Sequence, residues 1–126
     1  MLLGARDFDP GELQAIQNCG IAVVAGSEHH DLAEGAVSAL VEVAARTGEV
    51  HLHLDADAHD AAFGLANEWA EPHGVDGRGY LAAVERVLHA CTVGSVSLAS
   101  YDPLCDPNGR IGRSCIDLLV ACAVGR

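Results

Sequence analysis

The sequence predicts an α/β fold, with three αβα layers and a mainly parallel sheet of about four strands. Four short apolar runs are each followed by a segment of helical character, which is the alternation typical of parallel sheets. Three of these runs lead into aspartate-rich segments, ARDFDP, DADAHD and ASYDPLCD. The length of 126 residues suits one compact domain, residues 1–126, with one core.

The first unit is predicted to consist of a strand over residues 1–5 and a helix that ends before Gly20. Asp9 can cap this helix, and Pro10 suits its first position. Glu12 stands at the capping-box spacing from Asp9. The chain should therefore enter its first helix directly after the acidic segment.

The second unit is predicted to be a strand over residues 21–25 and a helix over residues 31–47, which Gly48 ends. His29 and His30 lie between the two. Adjacent side chains point to different sides, so this pair is interpreted as part of the helix start rather than as metal ligands. One face of the helix is apolar: Ala33, Val37, Leu40, Val41 and Ala44.

The remaining chain is predicted to form a strand over 50–56, a helix over 80–91, a strand over 95–100 and a helix over 111–124. The long irregular segment 59–79 follows the first of these strands. A long loop in that position is more often functional than idle. In parallel sheets, ligands bind beyond the carboxyl ends of the strands, so an acidic binding edge is expected there.

Composition excludes several classes of partner. The net charge of −11 disfavours nucleic acid, since phosphates repel an acidic surface, and it favours a cationic ligand or a divalent metal. No apolar run reaches the roughly 18 residues of a membrane span, and MLLGARDFD lacks a signal-peptide pattern, so a cytoplasmic protein without membrane contact is expected. The five cysteines form no CxxC pair and are expected to be reduced core residues: Cys19, Cys91, Cys105, Cys115 and Cys122.

The stretch HLHLDADAHD holds the candidate metal ligands. Side chains alternate along a strand, so His51, His53, Asp55 and Asp57 share one face, with both aspartates near its carboxyl end. Two neighbouring carboxylates repel each other unless a cation lies between them. A metal site and a merely solvated strand end remain equally open on spacing alone, and His51 is expected to be a hydrogen-bonded core residue.

Other catalytic motifs are absent from the sequence. It contains no GxSxG nucleophile elbow, no GxxxxGK[ST] phosphate loop, and no GxGxxG after a strand. Cys105 has no base near it in sequence, so cysteine catalysis is not favoured. Catalytic residues are therefore unassigned.

The ordered segments GARDFDPGE, HLDADAHD, ANEWAEPHGV and SLASYDPLCDPNGR resemble the ureohydrolases, the family of arginases, agmatinases and formiminoglutamases. The resemblance covers essentially the whole chain and matches the carboxyl-terminal half of that family. It implies an arginase-like half domain with a manganese pair at the carboxyl edge of a parallel sheet. It also implies hydrolysis of C–N bonds in small cationic guanidino or amidino substrates, by a metal-bridging hydroxide.

The resemblance also implies roles for individual residues. Asp55 would bridge both metals and Asp57 would hold one of them. Asn67, Ser100 and Asp102 are the candidate substrate contacts. The family has Glu-x-Asn-Pro where this chain has SYDP, so the guanidinium anchor is lost unless Asp102 substitutes for it.

The family takes its other metal ligands from earlier segments that have no counterpart here. Two aspartates cannot hold a tight dinuclear site alone, because such cations take about six ligands each. The expected partners are therefore a complementing amino-terminal half or further copies of this chain. The alternative is a non-catalytic binding or oligomerisation domain, whose acidic edge binds cations weakly at most.

Overall fold

The computed structural model describes residues 1–24 and 34–125. Its strands and helices alternate as predicted, which confirms the α/β class. The predicted start of the second helix, with His29 and His30, lies outside the described residues. The elements are β1 (Leu2–Leu3), α1 (Pro10–Asn18), β2 (Val23–Val24), α2 (Glu34–Thr47), β3 (Val50–Asp55), a short 3₁₀ helix (Ala56–Ala58), α3 (Gly77–Ala90), β4 (Val93–Ala99) and α4 (Arg110–Val124).

The strands pair in parallel, as predicted, but in two separate sheets. β1 pairs with β2, with Leu2 opposite Val23. β3 pairs with β4 from Val50 to Asp55, with a register shift after Val50. In the described ranges the order is thus β1-β2 and β3-β4, and a cavity lined by both β1 and β3 separates the two pairs.

Helices α3 and α4 cover one face of the β3–β4 sheet. Because side chains alternate along a strand, Leu52 and Leu54 both point to this face. The main buried cluster is Leu54, Val84, Leu118 and Cys122. A second cluster lies by the short 3₁₀ helix that follows β3 and contains Ala56, Ala66, Ile111 and Cys115. A third joins α2 to α3 and contains Leu40, Val87 and Cys91, with Leu3 of β1 packed against it.

The opposite face of the β3–β4 sheet carries a row of polar side chains. His51 and His53 are exposed and hydrogen-bond to Ser95 and Ser97 on β4. The expectation that His51 belongs to the core was wrong. It has the opposite parity to Leu52 and Leu54, so it points away from the helices.

The cysteines agree only in part with the prediction that they are reduced core residues. All the cysteines are free, and Cys91, Cys115 and Cys122 are buried, but Cys19 is exposed and Cys105 only half-buried. Within the described ranges, no helix is long and apolar enough to cross a membrane.

Candidate functional site

The site is centred on the carboxyl end of β3, where two aspartates follow each other at a spacing of two residues. Asp55 is the last residue of the strand and Asp57 lies in the 3₁₀ helix that follows. The Asp57 backbone N–H donates to Asp55 Oδ1 at 3.4 Å, so Asp55 caps this helix. Both carboxylates are half-buried at the same sheet edge.

The Asp57 carboxyl group is harder to ionise than an ordinary aspartate. Partial burial raises the pKa of Asp57 above its ordinary value, and the nearby Asp55 raises it further. A hydrogen bond from Asn67 and the positive charge of Arg6 act in the opposite direction and offset only part of the effect. A cation beside Asp57 would relieve the remaining cost of ionising its carboxyl group.

Asn67, on the loop after β3, connects Asp57 to the end of β4. Its amide nitrogen donates to Asp57 Oδ2 and to the Ser100 carbonyl, each at 3.0 Å. Its amide oxygen accepts from the Trp69 backbone N–H at 2.9 Å. The structure thus makes Asn67 a positioning residue for Asp57, and its role as a substrate contact stays a prediction.

Ser100 and Asp102 begin the segment that leaves β4. Ser100 has φ 63°, a left-handed conformation that non-glycine residues rarely adopt. The Asp102 backbone N–H donates to the Ala66 carbonyl at 2.7 Å, and Asp102 Oδ1 accepts from the Leu104 N–H at 2.9 Å. The Asp102 carboxylate therefore caps its own turn, and its predicted contact with a guanidinium group stays a prediction.

Arg6 was not singled out by the sequence analysis, although it supports the site. Its guanidinium group donates to four backbone carbonyls, those of Asp57 (2.8 Å), His59 (3.2 Å), Glu71 (2.8 Å) and Pro72 (3.0 Å). It thereby joins the segment after β1 to the segment after β3. One feature of the sequence could have pointed to Arg6, because it is the one basic residue in the acidic segment ARDFDP.

His59 is a buried structural histidine. Its Nδ1 lies 2.8 Å from the Ala56 carbonyl, which can only accept, so Nδ1 carries the proton. Its Nε2 then accepts from the Ser114 hydroxyl at 2.8 Å. The ring contacts Phe63 and Tyr80, with centroids at 5.4 and 5.1 Å. Burial lowers the pKa of His59, so the ring is neutral and packs in the core.

The donors fit one side of a cation site. Carboxylate oxygens are the ligands that hard divalent cations prefer, but each cation takes about six donors. In the part of the chain that the structure describes, no group of three or more histidine, cysteine, aspartate or glutamate side chains is placed to hold a metal ion. Asp55 and Asp57 can therefore contribute ligands without completing a site.

The comparisons with known proteins agree on one family. Residues 1–125 match the family described as the Arginase family. The arginase of Brucella melitensis is 28% identical over 122 residues, which are 95% of this chain and 40% of that protein. This chain thus spans about 40% of the length of the curated relatives it matches.

Solved structures show the same partial coverage. The Bacillus caldovelox arginase superposes with a TM-score of 0.81 at 25% identity, covering 94% of this chain and 40% of that one. The Bacillus subtilis formimidoylglutamase superposes with a TM-score of 0.84 at 16% identity, covering 94% and 38%, and it shows the shared fold alone. On the family match over nearly its whole length, the chain belongs to the arginase family.

Proposed function

We propose that this chain carries the aspartate-bearing part of a manganese-dependent hydrolase that cleaves C–N bonds in small cationic guanidino or amidino compounds. A complementing amino-terminal half would supply the remaining ligands, and the cytoplasm is the proposed compartment. The observation that carries the proposal is the pairing of Asp55 and Asp57 at the carboxyl end of β3, where ionisation of Asp57 is disfavoured.

Each residue of the site has a part in this proposal. Asp55 and Asp57 would hold manganese, which when bound would lower the pKa of a water molecule so that it is nucleophilic at neutral pH. Asn67 fixes the orientation of the Asp57 carboxylate through its bond to Oδ2. Arg6 holds the backbone on either side of Ala58 and keeps Asp57 more ionised than it would otherwise be.

The net charge of −11 supports a cationic substrate, because an acidic molecule attracts positive ligands over distances of about a Debye length. In the segment after β4, Ser100 is exposed and Asp102 is half-buried. Ser100 and Asp102 are the proposed contacts, and Asp102 would have to exchange its bond to the Leu104 N–H for one to the substrate.

The proposal is tested with this chain alone and together with the part of the Brucella melitensis arginase that precedes the matched region. Manganese binding is measured by calorimetry, and hydrolysis by the release of urea or ammonia from guanidino and amidino compounds. We expect tight binding and turnover in the pair only, because Asp55 and Asp57 are too few to hold the cations alone.

Turnover should fall by at least ~10–100-fold in Asp55→Asn and in Asp57→Asn. Mutation of a residue that only hydrogen-bonds to a metal ligand already costs that much. Asp117→Asn is the matched control, since it removes the same charge from an exposed position on α4. Turnover that survives in both site variants would overturn the proposal.

The alternative is a non-catalytic domain that binds a partner through its acidic edge. It is favoured by the Asp102 carboxylate being used within its own turn and by the incomplete ligand set in the described part of the chain. No manganese uptake at millimolar concentration, by the chain alone or by the pair, would favour this alternative.

A further inference from the structure

The face of the β3–β4 sheet that points away from α3 and α4 carries four polar side chains, here called the imidazole row: His51, His53, Ser95 and Ser97. The strand register places His51 opposite Ser95 and His53 opposite Ser97. Opposite residues of neighbouring strands share a face, so the four side chains form one cluster. Both histidines are exposed, and the proposed function uses neither of them.

Two imidazole nitrogens of the row converge on one oxygen atom. Ser97 Oγ lies 2.9 Å from His51 Nε2 and 2.7 Å from His53 Nδ1. A neutral imidazole carries its proton on one nitrogen and leaves a lone pair on the other. The three atoms therefore form a possible ligand set of two nitrogens and one oxygen.

The spacing of these atoms suits a particular coordination geometry. With metal–ligand distances of about 2.0–2.1 Å, two ligands at right angles are about 2.9 Å apart, and two at the tetrahedral angle are about 3.4 Å apart. The observed separations of 2.9 and 2.7 Å match the right-angled case. A tetragonal ion thus needs little rearrangement of the row, whereas a tetrahedral ion would have to spread the ligands.

Ser95 gives the row the outer hydrogen bond that metal-binding histidines usually have. Its Oγ lies 2.8 Å from His51 Nδ1. A histidine ligand normally donates its second ring N–H to such an acceptor, which fixes the tautomer and the ring orientation. When Nδ1–H donates to Ser95, His51 turns the lone pair of Nε2 towards Ser97. His53 is exposed, so water can accept from its Nε2–H while Nδ1 serves as the ligand.

The chemistry of the ligands and the charge of the chain select the class of ligand. Imidazole nitrogens favour transition metals, and tetragonal sites of nitrogen and oxygen are typical of Cu²⁺ and Ni²⁺. The net charge of −11 attracts cations and repels anions such as phosphate, which hydroxyl and imidazole donors could otherwise bind. A divalent transition metal is therefore favoured over an anion.

We infer that the imidazole row binds one transition-metal ion of tetragonal preference, Cu²⁺ or Ni²⁺, through His51 Nε2, His53 Nδ1 and Ser97 Oγ. Water fills the remaining positions, and Cu²⁺ binds more tightly than Ni²⁺. The site is separate from the aspartate pair, because the Cα atoms of His53 and Asp55 are two strand residues apart, about 7 Å. It does not rest on the proposed function.

The site is tested by titrating Cu²⁺ into the isotope-labelled chain at constant pH. Cu²⁺ is paramagnetic and broadens the NMR signals of nearby nuclei. We expect the amide signals of His53 and Ser97 to be lost first and those of α4, on the other face of the sheet, to broaden least. Electron paramagnetic resonance should show coupling to two imidazole nitrogens. Broadening centred instead on other histidines, such as His29, His30 or His73, would overturn the inference.

Histidine variants sharpen the test. His51→Gln and His53→Gln should each weaken Cu²⁺ binding at least about tenfold, since even the loss of an outer partner costs that much, and Ser95→Ala should cost about tenfold. His89→Gln is the matched control, because His89 is an exposed histidine on α3 whose Nδ1–H donates to the Glu85 carbonyl. Calorimetry measures each affinity, and equal losses in the control and the site variants would contradict the inference. If a site variant fails to fold, the wild-type NMR result decides.

Asp57→Asn separates this site from the aspartate pair. It removes a nearby negative charge but no ligand of the row, so it should weaken Cu²⁺ binding less than either histidine variant does. A loss as large as that in His53→Gln would place Cu²⁺ at the aspartates and overturn the inference. The chain is used alone, so the result is independent of whether it hydrolyses any substrate with a complementing half.

Discussion

The β3–β4 sheet and the β1–β2 sheet are built from the same parallel pairing and differ in how they are supported. β3 and β4 are six and seven residues long, and α3 and α4 bury Leu54 and Leu118 against them. β1 and β2 are two residues long, and α1 has no buried residue. The β3–β4 sheet therefore has its own core, whereas the β1–β2 sheet depends on contacts with the rest of the chain.

Truncating the core of the β3–β4 sheet should have the largest effect. Leu54 is 2% exposed, so Leu54→Ala should lower the free energy of unfolding by about 3 kcal/mol through lost burial and the cavity left behind. Leu13→Ala, on α1, is the matched control and should cost less than about 1 kcal/mol because Leu13 is 43% exposed. Urea denaturation measures both, and equal losses would contradict the comparison.

Arg6 connects the segment after β1 to the segment after β3, and its removal should have the second largest effect. Arg6→Met loses four hydrogen bonds to carbonyls at partly solvated positions, so we expect a loss of about 2 kcal/mol. Hydrogen exchange should speed up in residues 1–7 more than in β4. Arg6→Lys keeps the charge, but its ammonium group cannot reach four carbonyls. Its free energy of unfolding should therefore lie between those of the wild type and Arg6→Met. Exchange that rises equally in both sheets would contradict a connecting role.

The order and type of the elements could be predicted from the sequence because each depends on local signals. Pro10 and Glu12 mark the start of α1, and the Asp9 N–H does donate to Glu12 Oε2 at 3.0 Å. The alternation of β3 places Asp55 and Asp57 at its carboxyl end by the same local reasoning.

The rest of the site depends on contacts between residues far apart in sequence. Arg6 and Asp57 are separated by 51 positions, and Asn67 and Ser100 by 33, so no spacing rule joins them. The division into two sheets also escaped prediction, since a gap between strands leaves no mark on the alternation of either one.

The cap of α4 gives a smaller, pH-dependent effect within the better supported region. Asp106 accepts from the backbone N–H groups of Arg110 and Gly112, each at 2.9 Å. Burial would raise the pKa of Asp106, but these hydrogen bonds outweigh it and hold the pKa below the ordinary value of 3.8. The stabilisation is therefore fully present above pH 3.8 and is lost as the pH falls through the lower, folded-state value.

Asp106→Ala should cost about 1 kcal/mol at pH 7, as the loss of a helix cap usually does. The cost should shrink as the pH falls below 3.8, because the wild-type carboxyl is then protonated as well. Thermal unfolding of the wild type and the variant between pH 2 and pH 7 measures this cost. At neutral pH the two Tm values should differ by on the order of a few degrees. A cost that grows on acidification would contradict the assignment.

The smallest effect is expected on the polar face of the β3–β4 sheet. The Ser97 hydroxyl lies 2.9 Å from His51 Nε2 and 2.7 Å from His53 Nδ1, whereas the Ser95 hydroxyl lies 2.8 Å from His51 Nδ1 alone. A hydroxyl has one proton, so Ser97 donates to one imidazole and accepts from the N–H of the other. Removing it breaks two bonds, and removing Ser95 breaks one.

Ser97→Ala should therefore cost more than Ser95→Ala, but both should cost less than about 1 kcal/mol, since water replaces hydrogen bonds lost from exposed imidazoles. Urea denaturation of this chain alone measures the loss in the free energy of unfolding for each of the two variants. A loss above about 2 kcal/mol for Ser97→Ala would mean that this face is covered in solution, because only a dry environment makes those bonds so costly to lose.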